Sequence, residues 1–282
     1  MTIHIAPHIL REYRRVQHSL VSLGAVAQPW ALVAPGSAAP RGDIIVFPGS
    51  FNPPTLAHVA MLRQARRSAS RRGGGRWQVY AALSQRIVDK EAVERMTLLD
   101  RVVLLDHVLK RQVRQAGILL LNRGLYVEQA QGIRAAFPQV RQLSFLLGFD
   151  KIVQILDPRY YTDREAALRE LFALAHLLVA PRAKDGVAEL RVLLARPENR
   201  PFAGSISALP LDARYRDISS THARQERQAS EVPAEARDFI LRTQPYASLP
   251  RLTDGTVRDP YAERTRALQA LLANGCGEKS GG

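Results

Sequence analysis

IIVFPGSFNPPTLAH, residues 44–58, decides the fold. Four consecutive apolar residues, Ile44 to Phe47, form a run too short for a helix and read as a strand buried on both faces. The run meets Gly49 and the pair Pro53-Pro54, and a helical pattern starts at once beyond them. Without a side chain, Gly49 would let a ligand come close to the backbone. The prolines would hold Asn52 and the turn extended, leaving Thr55 to cap the helix and His58 in its first turn. A hydroxyl and an imidazole would then be aimed at one place, beside the free N–H groups and dipole of a helix start, a natural anion site. In the plainer reading of the same residues, Thr55 is only a cap and His58 a half-buried side chain.

Outward from this stretch, strand and helix periods alternate. Helix 59–69 is followed by the turn 71–76 (RRGGGR), which lacks the Gly-Lys-Ser/Thr ending of a phosphate loop. Strands are predicted at 77–83, 118–122, 143–149, 176–182 and 204–210, and helices over 91–115, 126–137 and within 150–175. Nearly continuous apolar strands separated by helices predict an α/β fold with a Rossmann-like, doubly wound parallel sheet. Ligands in such sheets sit beyond the carboxyl ends of the strands, where the strand order reverses. Residues 8–23 form an amphipathic helix and 28–42 a Pro/Gly/Ala/Ser linker, so 1–42 read as an N-terminal helical extension. The main domain is set at 43–250, and 251–282 as a C-terminal helix and flexible tail.

Composition narrows the function. The 282 residues are 46% hydrophobic and 6% aromatic, enough for a core of Leu, Val, Ile and Ala. The single cysteine, Cys276, excludes an intramolecular disulfide and a cysteine zinc site, and a cytoplasmic location is expected. No apolar run approaches the roughly 20 residues that cross a bilayer, and the N-terminus lacks the pattern of a signal peptide, so no membrane is expected. The net charge of +14 suits polyphosphate ligands or nucleic acid. No aromatic and basic residues interleave as a single-strand platform requires, so nucleic acid is not the expected partner. His107, His176 and His222 show no metal-ligand spacing.

A second motif lies at 218–224, ISSTHAR. Hydroxyls of Ser219, Ser220 and Thr221 at a helix start, with Arg224 one turn along, would cradle outer phosphates. Alone it is a common cap. Together, GSFNPPTLAH and ISSTHAR resemble the nucleotidylyltransferases that carry an HxGH or TxxH motif, above all the nicotinamide or nicotinate mononucleotide adenylyltransferase branch. Its opening reads GSFNPxTxxH or GTFDPxHxGH, and its later string ISSTxxR. Here Thr55 takes the place of the first His, Ala57 that of the Gly and His58 that of the second His. The stretch VPAEARDFILRTQPYA (232–247) resembles the family's closing VPxxVxxYI helix, so the likeness spans about residues 43 to 247.

What the resemblance implies is specific. Gly148 and Asp150 in LLGFD match the family's GxD, with a carboxylate for ribose hydroxyls; a simple helix cap is the alternative for Asp150. ATP would be held by Gly49, Ser50, Phe51, His58, Gly148, Asp150, Ser219, Ser220, Thr221 and Arg224. His58, Thr55 and Arg224 would be catalytic. Lys90, Tyr126 and Tyr161 would bind the acceptor, with Tyr161 or Tyr160 stacking on a pyridine ring; packing is the alternative for adjacent tyrosines. Arg95 and Arg101 read as a solvated helix face. The implied activity is transfer of AMP from ATP to a pyridine mononucleotide, with Mg²⁺ bridging phosphate oxygens. A homo-oligomer is compatible with it. Two rival readings stand beside it: nucleotidyl transfer to another phosphorylated small molecule, and a non-catalytic nucleotide-binding or RNA-binding protein.

Overall fold

The computed structural model describes residues 5–71, 77–86, 95–180, 186–215, 218–225, 229–249 and 258–273. The chain opens with α1 (Pro7–Gly24) and a short strand, β1 (Ala31–Val33). There follow β2 (Gly42–Pro48), α2 (Leu56–Arg71), β3 (Gln78–Ser84), α3 (Leu98–Gln112), β4 (Gly117–Leu121), α4 (Tyr126–Ala136), β5 (Val140–Gly148) and α5 (Phe149–Leu156). Then come α6 (Arg164–Leu174), β6 (His176–Ala180), α7 (Gly186–Ala195), β7 (Ile206–Ala208), α8 (Ser220–Gln225), α9 (Ala234–Thr243) and α10 (Pro260–Ala273).

The strands form one sheet in the order β1-β4-β3-β2-β5-β6-β7. From β4 to β7 every pair is parallel, the doubly wound arrangement expected from the sequence. The chain winds outward from β2 through β3 to β4, then returns to the other side of β2 and winds through β5, β6 and β7. The strand order therefore reverses between β2 and β5, and a crevice opens at their carboxyl ends. Strand β2 explains its own apolar run: Ile45 and Phe47 enter the layer built on α2 and α3, and Ile44 and Val46 the layer on the opposite face. A strand covered on both sides needs no polar alternation.

Three sequence expectations change. The stretch 28–42, read as a linker, contains β1, which pairs antiparallel with β4 through Ala31↔Leu121 and Val33↔Leu119. Buried Asn122 holds it there: its amide donates to the carbonyls of Val26 (3.0 Å) and Gln28 (2.8 Å), and its Oδ1 accepts from the Trp30 N–H (2.8 Å). Helix α3 starts at Leu98, where Thr97 Oγ1 caps it by accepting from the Asp100 N–H at 3.1 Å, and residues 91–94 of the predicted helix lie outside the described residues. Arg95 and Arg101 do not lie on a solvated face. Arg95 Nη2 meets Asp259 at 2.5 Å, and Arg101 is only 5% exposed, with its Nη1 donating to the Ser50 carbonyl at 2.9 Å.

The N-terminal helix is clamped to the C-terminal one across α3. Asp100, fully buried, accepts from Tyr13 Oη of α1 (2.6 Å), from Tyr261 Oη of α10 (2.5 Å) and from Arg264 Nη1 (3.0 Å). A carboxylate can be buried only with such pairing. Nearby, Glu12, Asp106 and His107 bring donor atoms within 4.8 Å of one another, a grouping invisible in the spacing of the histidines. The Lys110 ammonium already bonds Asp106 and lies 3.9 Å from Glu12, so the cluster reads as an ion-pair seam between α1 and α3.

Candidate active site

The turn after β2 is built by packing. The Gly49 N–H donates to the Ala82 carbonyl at 3.0 Å, and a Cβ on Gly49 would lie 3.1 Å from the Phe51 ring. The missing side chain is thus filled by Phe51, rather than left open above the backbone. Phe51 holds a φ of 46°, unusual for a residue with a side chain, and its fully buried ring meets Phe47 edge-on at 5.4 Å and His58 at 4.9 Å. Anything Phe51 gives a ligand must come from its backbone. The Asn52-Pro53 peptide is cis.

Thr55 and His58 are joined as a unit. The Thr55 N–H donates to His58 Nδ1 at 3.0 Å, Thr55 Oγ1 lies 3.0 Å from the same nitrogen, and the His58 N–H reaches Oγ1 at 3.4 Å. A backbone N–H can only donate, so Nδ1 is the acceptor and the proton of the neutral ring sits on Nε2. Thr55 is wholly buried. Its hydroxyl therefore helps orient the imidazole, while its backbone N–H fixes the tautomer with the proton on Nε2. Cap and histidine, separate in the plainer sequence reading, are one device.

The second motif docks on this turn from more than 160 residues away. Ser220 Oγ donates to the Pro53 carbonyl at 2.9 Å, and Arg224 Nη1 to the Asn52 carbonyl at 2.6 Å. Arg224 Nη2 lies 3.3 Å from Thr221 Oγ1, and Ser219 Oγ caps α8 by accepting from the His222 N–H at 3.1 Å. The structure thus brings Gly49, Ser50, Phe51, Thr55, His58, Ser219, Ser220, Thr221 and Arg224 to one locus. Gly148 and Asp150 end the adjacent strand β5 and open α5, across the crevice; space beside Gly148 is open and Asp150 is exposed.

Three residues that the sequence reading leaves out complete the turn. Asn52, 3% exposed, accepts on Oδ1 from Tyr246 Oη at 2.5 Å. Burial pushes the Tyr246 hydroxyl well above its ordinary pKa, so it remains a donor. Arg101 braces Ser50 from below, and burial lowers its pKa, with Tyr246 and Tyr261 acting in the opposite sense. Tyr246 does lie within the VPAEARDFILRTQPYA stretch, but nothing in its spacing points to Asn52.

Two of the acceptor candidates pack in the layer on the other face of the sheet. Tyr126 packs edge-on against Phe145 at 5.3 Å in the layer on the other face of the sheet, and burial raises its pKa. Tyr161 belongs to that layer too, with its hydroxyl donating to the Ile155 carbonyl at 2.7 Å near the far end of α5. Tyr160 is 56% exposed. Lys90 lies outside the described residues. In the loop after β4, Asn122 is spent on the N-terminal segment.

Residues 46–226 match the family model described as cytidylyltransferase-like. The chain is 24% identical over 227 residues to a Schizosaccharomyces pombe protein named "Putative nicotinamide mononucleotide adenylyltransferase", covering 72% of this chain and 86% of that one. Its fold is similar to that of Plasmodium falciparum nicotinic acid mononucleotide adenylyltransferase, solved in complex with NaAD. That match has a TM-score of 0.55 at 16% identity and covers 73% of this chain and 98% of the other. Among the described residues no helix is long and apolar enough to cross a membrane.

Proposed function

The chain belongs to the cytidylyltransferase-like family of nucleotidyltransferases, and from that premise we propose that it transfers AMP from ATP to nicotinamide or nicotinate mononucleotide. The observation that carries this reading is the docking of the ISSTHAR segment on the Asn52-Pro53 turn, which brings its hydroxyls and a guanidinium to the turn that carries His58. The names of the fission-yeast and malarial relatives favour the pyridine acceptor.

In this reaction a phosphate oxygen of the mononucleotide attacks the α-phosphorus of ATP. The bond from that phosphorus to the bridging oxygen breaks, and its electron pair leaves with pyrophosphate. The nucleophile is already ionised near neutral pH, so positioning and charge stabilisation replace a strong base. His58 Nε2–H donates to an α-phosphate oxygen as charge grows in the transition state. Arg224 and the hydroxyls of α8 hold the departing phosphates, and Asp150 accepts from ribose hydroxyls. Thr55, being buried, acts only by holding His58.

Mg²⁺ would arrive with ATP. The donors around His58 are imidazole, hydroxyl and guanidinium groups, and among the described residues the grouping with metal-ligand geometry lies on α1 and α3 instead. The ion's ligands would be phosphate oxygens and water, which suits a cation that keeps much of its hydration shell. When bound it shields the charge of the leaving pyrophosphate.

The test is pyrophosphate release from ATP and Mg²⁺, with each mononucleotide offered separately to the wild type and to His58→Ala. Turnover with one of the two, reduced ~100-fold to 1,000-fold in the variant with a much smaller change in stability, is the expected result. Absence of release with both, or a fully active variant, rejects the proposal.

A further inference from the structure

Among the described residues Arg101 is the only lysine or arginine that is buried, at 5% exposure, and the reaction as written gives it no role. It lies in the first turn of α3 and donates from Nη1 to the Ser50 carbonyl at 2.9 Å. A guanidinium has five N–H donors. Elsewhere in the chain such groups are matched more fully. Arg264 is paired with Asp100, half-buried Arg134 donates to the carbonyls of Val140, Arg141 and Leu174, and half-buried Arg164 to those of Leu156 and Glu198 and to Asn199 Oδ1. Arg101 Nε, by contrast, is buried with no acceptor.

No carboxylate balances the charge. Asp100, the neighbour in the chain, is spent on Tyr13, Thr97, Tyr261 and Arg264. The groups that act on Arg101 are the hydroxyls of Tyr246 and Tyr261, and burial keeps both protonated near neutral pH, with Tyr261 raised to about 12, so neither supplies a negative charge. A cation enclosed in this way costs stability. A second guanidinium, that of Arg224, reaches the same turn through the Asn52 carbonyl at 2.6 Å, and residues 47–58 contain no Asp or Glu. The turn thus collects positive charge without a carboxylate of its own. Ser50, to which Arg101 is bonded, is exposed just past the carboxyl end of β2, where the crevice opens.

An anion in the crevice completes this arrangement, because a charge shielded from water acts over more than one residue. We infer that Arg101 is a positioning residue for the triphosphate of ATP: it holds the Ser50 carbonyl, and its charge is balanced by the bound phosphates. The inference rests on nucleotidyl transfer from ATP and does not depend on the acceptor.

ATP with Mg²⁺ is titrated calorimetrically, at constant ionic strength, into the wild type and into Arg101→Met, Arg101→Gln and Arg101→Lys. The first variant has neither charge nor donor, the second keeps a donor for Ser50 without the charge, and the third keeps the charge. ATP binds ~10-fold or more weakly to Arg101→Met and Arg101→Gln, and within ~3-fold of the wild type to Arg101→Lys. Free of ligand, Arg101→Met melts no lower than the wild type, because an unpaired buried charge has been removed. In turnover the loss lies in KM for ATP rather than in kcat, since the charge acts on bound and reacting phosphates alike. Full affinity in Arg101→Gln, unchanged affinity in Arg101→Met, or a wild type that does not bind ATP overturns the inference. A wild type that binds ATP but turns over neither mononucleotide rejects the pyridine acceptor alone, and the same titrations still decide the role of Arg101.

Discussion

Two polar networks join distant parts of this chain, and they differ in what they leave for a ligand. Around Asp100, groups from α1, α3 and α10 converge on a carboxylate with no exposure, and its oxygens are consumed by two tyrosines, Thr97 and Arg264. Around Asn52, the bonds from Ser220, Arg224 and Tyr246 end mainly on backbone carbonyls and one amide oxygen. They fix the turn while the half-buried His58 ring keeps a protonated Nε2. The first network uses charge to hold helices together. The second uses neutral acceptors to tie a distant segment to the turn.

Asp100→Ala gives the largest effect if this contrast is right. It removes the carboxylate that neutralises the Arg264 guanidinium, 14% exposed, and should cost about 3–5 kcal/mol in urea unfolding. The specific activity of the protein that stays folded should not change. Parallel loss of turnover at native conditions would break the division between the two networks. His58→Ala is the mirror image, with its loss of ~100-fold to 1,000-fold in turnover and a much smaller one in stability.

Thr55→Val sharpens the comparison within the site. The shape is kept, the buried hydroxyl is lost, and the Thr55 N–H still holds Nδ1, so about 1 kcal/mol of orientation is lost. Turnover should fall by about tenfold or less. A loss as large as that of His58→Ala would mean that the hydroxyl itself meets the substrate.

The smallest effect is a pH dependence confined to the Asp100 network. Burial, reinforced by the Asp100 carboxylate, raises Tyr261 from 10.0 to about 12. Below pH 10 both folded and unfolded states keep the proton and the contribution is complete. Between about 10 and about 12 only the unfolded state releases it, so stability falls as pH rises. Tyr261→Phe should flatten that part of the stability curve without touching the pH profile of turnover. An unchanged alkaline slope would move the effect to other tyrosines.

Much of the fold was legible because strands buried on both faces leave continuous apolar runs, as in Ile44 to Phe47 and residues 143–149. The site was legible where backbone chemistry is local: Thr55 and His58 are three residues apart in a proline-stiffened turn, and Ser219 caps its own helix. Strand β1 was hidden because three residues, ALV, give no period, and its anchor is a side chain about 90 residues away. Arg101 was misread for a related reason, since an arginine on a helix looks solvated until a distant carbonyl, here that of Ser50, accepts its hydrogen bond.

By itself, then, the sequence determined the parallel sheet, the placing of both motifs just beyond strand ends, and the resemblance they carry. These follow from periodicity and from spacings of a few residues. Only the tertiary structure decided that Gly49 makes room for Phe51, that Thr55 is buried and bonded to His58, that Tyr246 and Arg101 brace the turn, and that the two termini close around Asp100. Each of those depends on which groups are buried together, and burial is a property of the packed chain, with partners up to 251 residues apart.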